Sequence, residues 1–258
     1  MLRKVKEIFN YRQMLESMVL TDLRTRYKGS FLGFFWTLLN PLLMLAVYSM
    51  IFKYVVRISL DNYTSYLFIG IITWNLLSQS LTSGASSIIR NASLVKKIYF
   101  PKEILPLAVV IGGIINFLLS LIVLFPVLII SRIELGWSLL LVPVILLVYS
   151  IFTLALTTLV SCLNVYFRDL EHIIGVVIMA WFYLTPIVFT ADMIPEALQT
   201  VFRLNPMTTI MGSFHDVFFF NKTPDLFSLG SIAIISIILL MVCYVIFAKL
   251  SKNFAEEI

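Results

Sequence analysis

The side chains able to do chemistry are few, and their spacing argues against catalysis within the chain. Two histidines and two cysteines are spread over 258 residues. His172 stands beside Asp169 and Glu171, and His215 lies in a later segment that the hydropathy pattern places on the opposite side of a membrane. The two therefore share neither a metal nor a proton. His172 reads as a solvated residue on a cytoplasmic turn. No Gly-Lys dipeptide occurs, which excludes a phosphate-cradling P-loop. No serine sits in a Gly-x-Ser-x-Gly elbow. Cys162 and Cys243 fall inside apolar runs and read as small packing residues. The chain is expected to be no enzyme and to hold no cofactor or metal of its own.

The most charged internal stretch is "NASLVKKIYFPKEILPLA", residues 91–108, which interrupts two long apolar runs. Ser93 to Tyr99 is long enough for about two helical turns, with Leu94 and Ile98 on one side at i, i+4 and Lys96 and Lys97 elsewhere. Pro101 stops this helix, and Pro106 suits the start of the next. The loop is either a docking element or a basic loop with ordinary membrane anchors. Arg168 and Asp169 occupy a second short connection. They form either a minor partner contact or a local ion pair worth less than about 1 kcal/mol.

Around these loops the chain is 60% hydrophobic and 13% charged, with a mean hydropathy of +0.99. Such a composition belongs to an integral membrane protein. An apolar run of about 20 residues crosses a bilayer core as a helix. Six runs stand out, at about 31–52, 65–89, 104–131, 135–165, 173–191 and 226–248, so the expected fold is all-α with six transmembrane helices. With both termini cytoplasmic, only Lys53, Arg57, Arg132, Arg203 and Lys222 of the 19 lysines and arginines fall outside, as the positive-inside rule requires. The basic pI of about 9.2 thus reflects topology, and nucleic acid is not an expected partner. The N-terminus "MLRKVKEIFN" lacks the apolar core of a signal peptide.

Residues 1–30 form the cytoplasmic N-terminal part. Tyr11, Met14, Leu15, Met18, Val19, Leu23 and Tyr27 recur at helical spacing, giving an amphipathic helix that either lies along the interface or packs on the bundle. Between the fifth and sixth runs, two apolar pieces of about 10–14 residues flank Asn205-Pro206. They are too short to cross and predict a pair of short re-entrant helices at the outer surface, the first capped by Asp192 with Pro195 in its first turn. No linker or repeat divides the chain, so 1–258 is one domain, with 31–248 as the six-helix core and 249–258 as a cytoplasmic tail. No run contains an internal acid or base, which disfavours ion-coupled transport. Energy for uphill transport would come from a separate subunit.

Four stretches together resemble the membrane subunits of type-two ABC exporters of polysaccharides, the Wzm/TarG-like family. They are "DLRTRYKGSFLGFFWTLLNPLLMLAVYSMIF", the loop at 91–108, "LNVYFRDLEHII", and "YLTPIVFTADMIP" followed by "LNPMTTIM". The resemblance implies a half-transporter in the bacterial inner membrane. Two copies would line a pore and sit on two copies of an ATP-binding subunit, which would hold ATP and Mg. The cargo would be a lipid-linked glycan: O antigen, capsule or teichoic acid. By the same resemblance the 91–108 loop is the coupling element, with Ser93, Leu94, Val95, Lys96, Lys97, Tyr99 and Phe100 as contacts and Arg168 and Asp169 as minor ones. The family builds its pore from the first and fifth spans. Aromatic rings there stack on sugar C–H faces, which selects Phe35, Tyr48, Phe182 and Tyr183. Arg24, Arg26 and Lys28 are placed to meet a lipid-linked pyrophosphate at the inner leaflet. The alternatives are an exporter of a lipid or drug with this fold, or a nucleotide-independent channel or scaffold subunit.

Overall fold

The computed structural model describes residues 2–25, 35–51, 61–190 and 193–258, and every regular element among them is helical. Arg26, Lys28 and Asp192, and the side chain of Tyr48, lie outside the described residues.

The N-terminal part is two helices rather than one, α1 (Leu2–Asn10) and α2 (Arg12–Thr25), separated at Tyr11. α3 (Trp36–Ile51) carries an internal proline, Pro41. Next come α4 (Tyr63–Ala85) and the short pieces α5 (Ser87–Arg90) and α6 (Ala92–Lys97). They lead into the long α7 (Ile104–Ile130). A 3-10 turn, Trp137–Leu141, opens α8 (Val142–Tyr166), and α9 (Leu170–Tyr183) follows after three residues. The last third holds α10 (Glu196–Leu204), α11 (Pro206–Phe218), α12 (Leu226–Leu250) and α13 (Phe254–Glu257).

Among the described residues, three helical stretches are long and apolar enough to cross a bilayer: Ile104–Ile130, Trp137–Tyr166 and Leu226–Leu250. α4 is long enough, with 23 residues, but nine serines, threonines and amides dilute its hydropathy. It is nonetheless the centre of the molecule. It packs on α3, α7, α8, α9 and α11, and Leu67, Phe68, Ile69 and Leu77 are fully buried. Gly84 lets α8 approach closely, since a Cβ there would collide with Thr157. The most apolar helices, α7, α8 and α12, instead carry exposed rows such as Leu118, Ile122, Leu147, Ile234 and Ile238.

The apolar run expected at 173–191 is only partly helical. α9 ends at Tyr183, because Thr185 precedes Pro186 and the α conformation is disfavoured there. Fourteen residues rise about 21 Å, short of a bilayer core. Residues 184–190 continue as irregular chain whose carbonyls find side-chain donors. Tyr63 Oη donates to Val188 O at 2.7 Å, Tyr66 Oη to Phe189 O at 3.2 Å, and Asn205 Nδ2 to Leu184 O at 2.8 Å. Irregular backbone buried in protein is tolerated only with such partners.

Two ends of the bundle follow from contacts. At one end, Tyr166 Oη donates to Leu250 O at 2.8 Å and Lys102 Nζ donates to Ser251 O, while α13 packs on α6. At the other, Ser65 and Ser131 share a 2.8 Å hydroxyl contact and Ser138 Oγ donates to Asn221 Oδ1 at 3.0 Å.

Candidate functional site

The loop between α5 and α7 is anchored by different residues from those that helical spacing suggests. α6 ends at Lys97, and Ile98 is extended at φ −129° and ψ 137°. The expected helix Ser93–Tyr99 is thus shifted and shortened. Leu94 and Ile98 do not share a buried side. Leu94 is half-buried, whereas Ile98 is 54% and Tyr99 80% exposed. The anchors are Val95 and Phe100, both buried with Cys162, Val165, Phe247 and Phe254. Two changes of conformation produce this pattern: one helical turn places Val95 inward, and the extended stretch after it turns Ile98 and Tyr99 out and Phe100 in.

The result is an outward face of Ser93, Lys96, Lys97, Ile98 and Tyr99 on a base fastened to the bundle. Tyr99 also joins this face to the N-terminal helices. Its carbonyl accepts from Tyr11 Oη at 3.2 Å, and its hydroxyl donates to Glu7 Oε1 at 3.4 Å. α2 lies along α7, with Val19 buried and Met14 and Met18 packed against the Val95–Phe100 cluster. Lys102 extends over the Phe254 ring, 5.3 Å from its centroid. Burial lowers its pKa below the usual lysine value, opposed by the adjacent Glu103 carboxylate. Arg168 and Asp169 are exposed in the short turn before α9.

The remaining expected contacts separate. Phe35 is 70% and Tyr183 65% exposed. Phe182 is half-buried and edge-on to Trp74, with centroids 5.7 Å apart. Trp74 is itself buried and meets Trp181 at 6.2 Å, so both tryptophans are packing residues. Arg24 is exposed at the end of α2. His215 is buried on the Tyr66 ring, 3.8 Å between centroids, with Nε2 3.1 Å from Tyr66 O. No group of three or more potential metal-ligating residues occurs among the described residues.

Two residues organise the bundle: Asn205, which the sequence marks only as part of a helix boundary, and Tyr149, which it does not mark. Asn205 Oδ1 accepts from Trp181 Nε1 at 2.9 Å and from the Met207 amide at 3.0 Å. Its Nδ2 donates to Leu184 O and, at 3.1 Å, to Thr185 Oγ1. One carboxamide thus caps α11 and fixes the irregular end of α9. The fully buried Tyr149 donates to Thr73 O at 2.6 Å and accepts from the Leu77 amide at 3.0 Å, bridging one turn of α4. Pro195 is the N-cap of α10 rather than a first-turn residue.

Long apolar helices packed around a more polar central one are the construction of a helical membrane protein. The model of the ABC-2 type transporter family matches residues 14–219, and the chain belongs to that family. It is similar along its whole length to a protein from Myxococcus xanthus named O-antigen export system permease protein RfbA, with 38% identity covering all of both chains. Two proteins of the same name from Klebsiella pneumoniae are 35% identical over 98% of each chain and 36% identical over 91%.

Proposed function

We infer that the chain is the membrane subunit of an ATP-driven exporter that moves a lipid-linked polysaccharide of the O-antigen class across the bacterial inner membrane. The observation that carries this reading is the full-length similarity to relatives named O-antigen export permeases. Six membrane crossings in a single domain, cytoplasmic termini and a re-entrant α10–α11 pair complete the architecture. ATP and Mg belong to a separate subunit, and two copies of each assemble.

The face of Ser93, Lys96, Lys97, Ile98 and Tyr99 receives the ATPase. Its exposure supports that role, as does the seating of Val95 and Phe100, because a rigid base carries displacement into the helices. Arg168 and Asp169 sit nearby as a secondary contact. The exposed rings of Phe35 and Tyr183 fit a sugar-stacking surface, and Tyr48 and Phe182 are assigned to the same role. Arg24, with Arg26 and Lys28, meets the pyrophosphate.

The test is affinity purification through a C-terminal tag in mild detergent. An equimolar ATP-binding subunit is expected to co-purify and to be lost in the Ile98→Asp/Tyr99→Asp double variant, whose side chains are exposed and whose fold is retained. Purification of the chain alone overturns the reading. Deletion of the chain should also abolish surface polysaccharide.

A further inference from the structure

A second polar feature lies within the bundle, away from the cytoplasmic loop. Between α3, α4 and α7 is a cleft of about 320 Å³. Four carboxamides line it, Asn40, Asn75, Gln79 and Asn116, together with Ser120 and Trp36, and no acid or base does. Asn75 and Asn116 fall near the middles of α4 and α7, and Gln79 one turn toward the α6 end. Carboxamides at such depth are costly in an apolar solvent unless partnered.

Among the described residues only one internal bond accounts for them. Asn116 Nδ2 donates to Gln79 Oε1 at 3.3 Å. Asn116 Oδ1 is buried without a hydrogen-bond partner, as is Ser80 Oγ on the same α4–α7 seam. Asn40 and Asn75 make no side-chain hydrogen bond among the described residues. Interhelical glue would pair these groups with each other; all four amides instead keep free capacity among the described residues. Gly113 keeps the seam narrow, since a Cβ there would press on Ser80 Oγ at 2.8 Å and Leu76 Cδ1 at 2.9 Å.

We propose that this cleft is a binding site for the neutral hydroxyl-bearing units of the transported chain, in the half of the membrane nearer the cytoplasm. A carboxamide both donates and accepts, as a hydroxyl does. Four of them with a tryptophan face accept sugars of varied stereochemistry without charge, which a phosphate group would require. The proposal rests on the export reading above and adds the residues that hold the glycan during passage.

The experiment places the photo-crosslinker p-benzoylphenylalanine at Met44, which lines the cleft, and at Leu140, an exposed control position, in otherwise unaltered chain in export-competent cells. Irradiation should give a ladder of periodate-reactive adducts from the Met44 position and none from the Leu140 position. In parallel, the Asn40→Leu/Asn75→Leu variant breaks no internal bond and should lower surface glycan about tenfold, the loss of two hydrogen bonds, with membrane level and ATPase co-purification unchanged. Asn75→Gln should restore part of it. Adducts that lack periodate reactivity would mean lipid in the cleft. That result, equal ladders at both positions, or full export by the leucine variant would each overturn the site while leaving the export reading intact. If deletion of the chain leaves surface polysaccharide unchanged, the export reading itself fails.

Discussion

Asn205 concentrates more structure than its position in the sequence suggests. Its amide satisfies the α11 N-terminus, the Trp181 indole and two groups at the end of α9. The dipeptide Asn205-Pro206 is readable as a helix boundary, but the partners 20 to 24 residues away leave no periodic trace. Asn205→Ala should destabilise the protein by about 1–3 kcal/mol, because several bonds, each of modest net worth, are lost together and two buried donors are orphaned. Asn205→Asp retains both acceptor roles and loses both donor roles, so its thermal midpoint in detergent should lie between those of wild type and Asn205→Ala. An Asp variant as unstable as the Ala variant would show that donation to Leu184 O and Thr185 Oγ1 carries the effect. Tyr149→Phe removes one hydroxyl from a fully buried ring and leaves Thr73 O and Leu77 N–H to each other. Its cost should be near the lower end, about 1 kcal/mol, in the same thermal measurement.

The basic loop between α5 and α7 shows how far pattern reading reaches at the scale of elements. The basic loop, its termination before Pro101 and the outward lysines were all readable in the sequence. Which apolar residues face inward was not, because helical spacing was extended beyond Lys97 into chain that is not helical. The tail at 249–258 reads only as a cytoplasmic tail, and within it Phe254 is fully buried against the loop's anchors. A single phenylalanine in "KNFAEEI" forms no pattern, and its ring meets Phe247, Tyr166 and Lys102 from three separate parts of the chain. Phe254→Ala should leave a cavity costing about 3 kcal/mol locally and loosen the seat of α6. Hydrogen exchange over 92–100 should therefore accelerate, and ATPase co-purification should fall although no docking residue is changed. Phe254→Leu should retain most of both. Unchanged exchange over 92–100 in the Ala variant would mean that the tail does not hold the loop.

Across the whole molecule, hydropathy and burial run in opposite senses. α4 is diluted by hydroxyls and amides and lies at the centre, while α7, α8 and α12 expose their apolar rows. In lipid, apolar surface gains little by leaving the solvent, whereas polar groups gain by facing one another. Hydropathy therefore marks helices apolar enough to cross without revealing which helix is central. It also overstates the helical length of the run at 173–191, since Pro186 ends α9 early. That shortness makes the number of crossings a sharp question. Ser93 precedes α7 and Thr223 follows α11, so α7, α8 and the α9 region are the candidate crossings between them. If α9 and its irregular continuation cross together, there are three crossings and the two residues face opposite sides. If they do not, there are two and the residues face the same side. Packing of α13 on α6, with Ser138 bonded to Asn221 at the opposite end, favours three. Both Ser93 and Thr223 are exposed, and the native Cys162 and Cys243 are buried, so a membrane-impermeant maleimide should report single introduced cysteines against little background. Ser93→Cys should react only after the inner membrane is permeabilised, and Thr223→Cys before. Reaction of both from one side would reduce α9 to a surface helix and with it remove the fifth span from any pore.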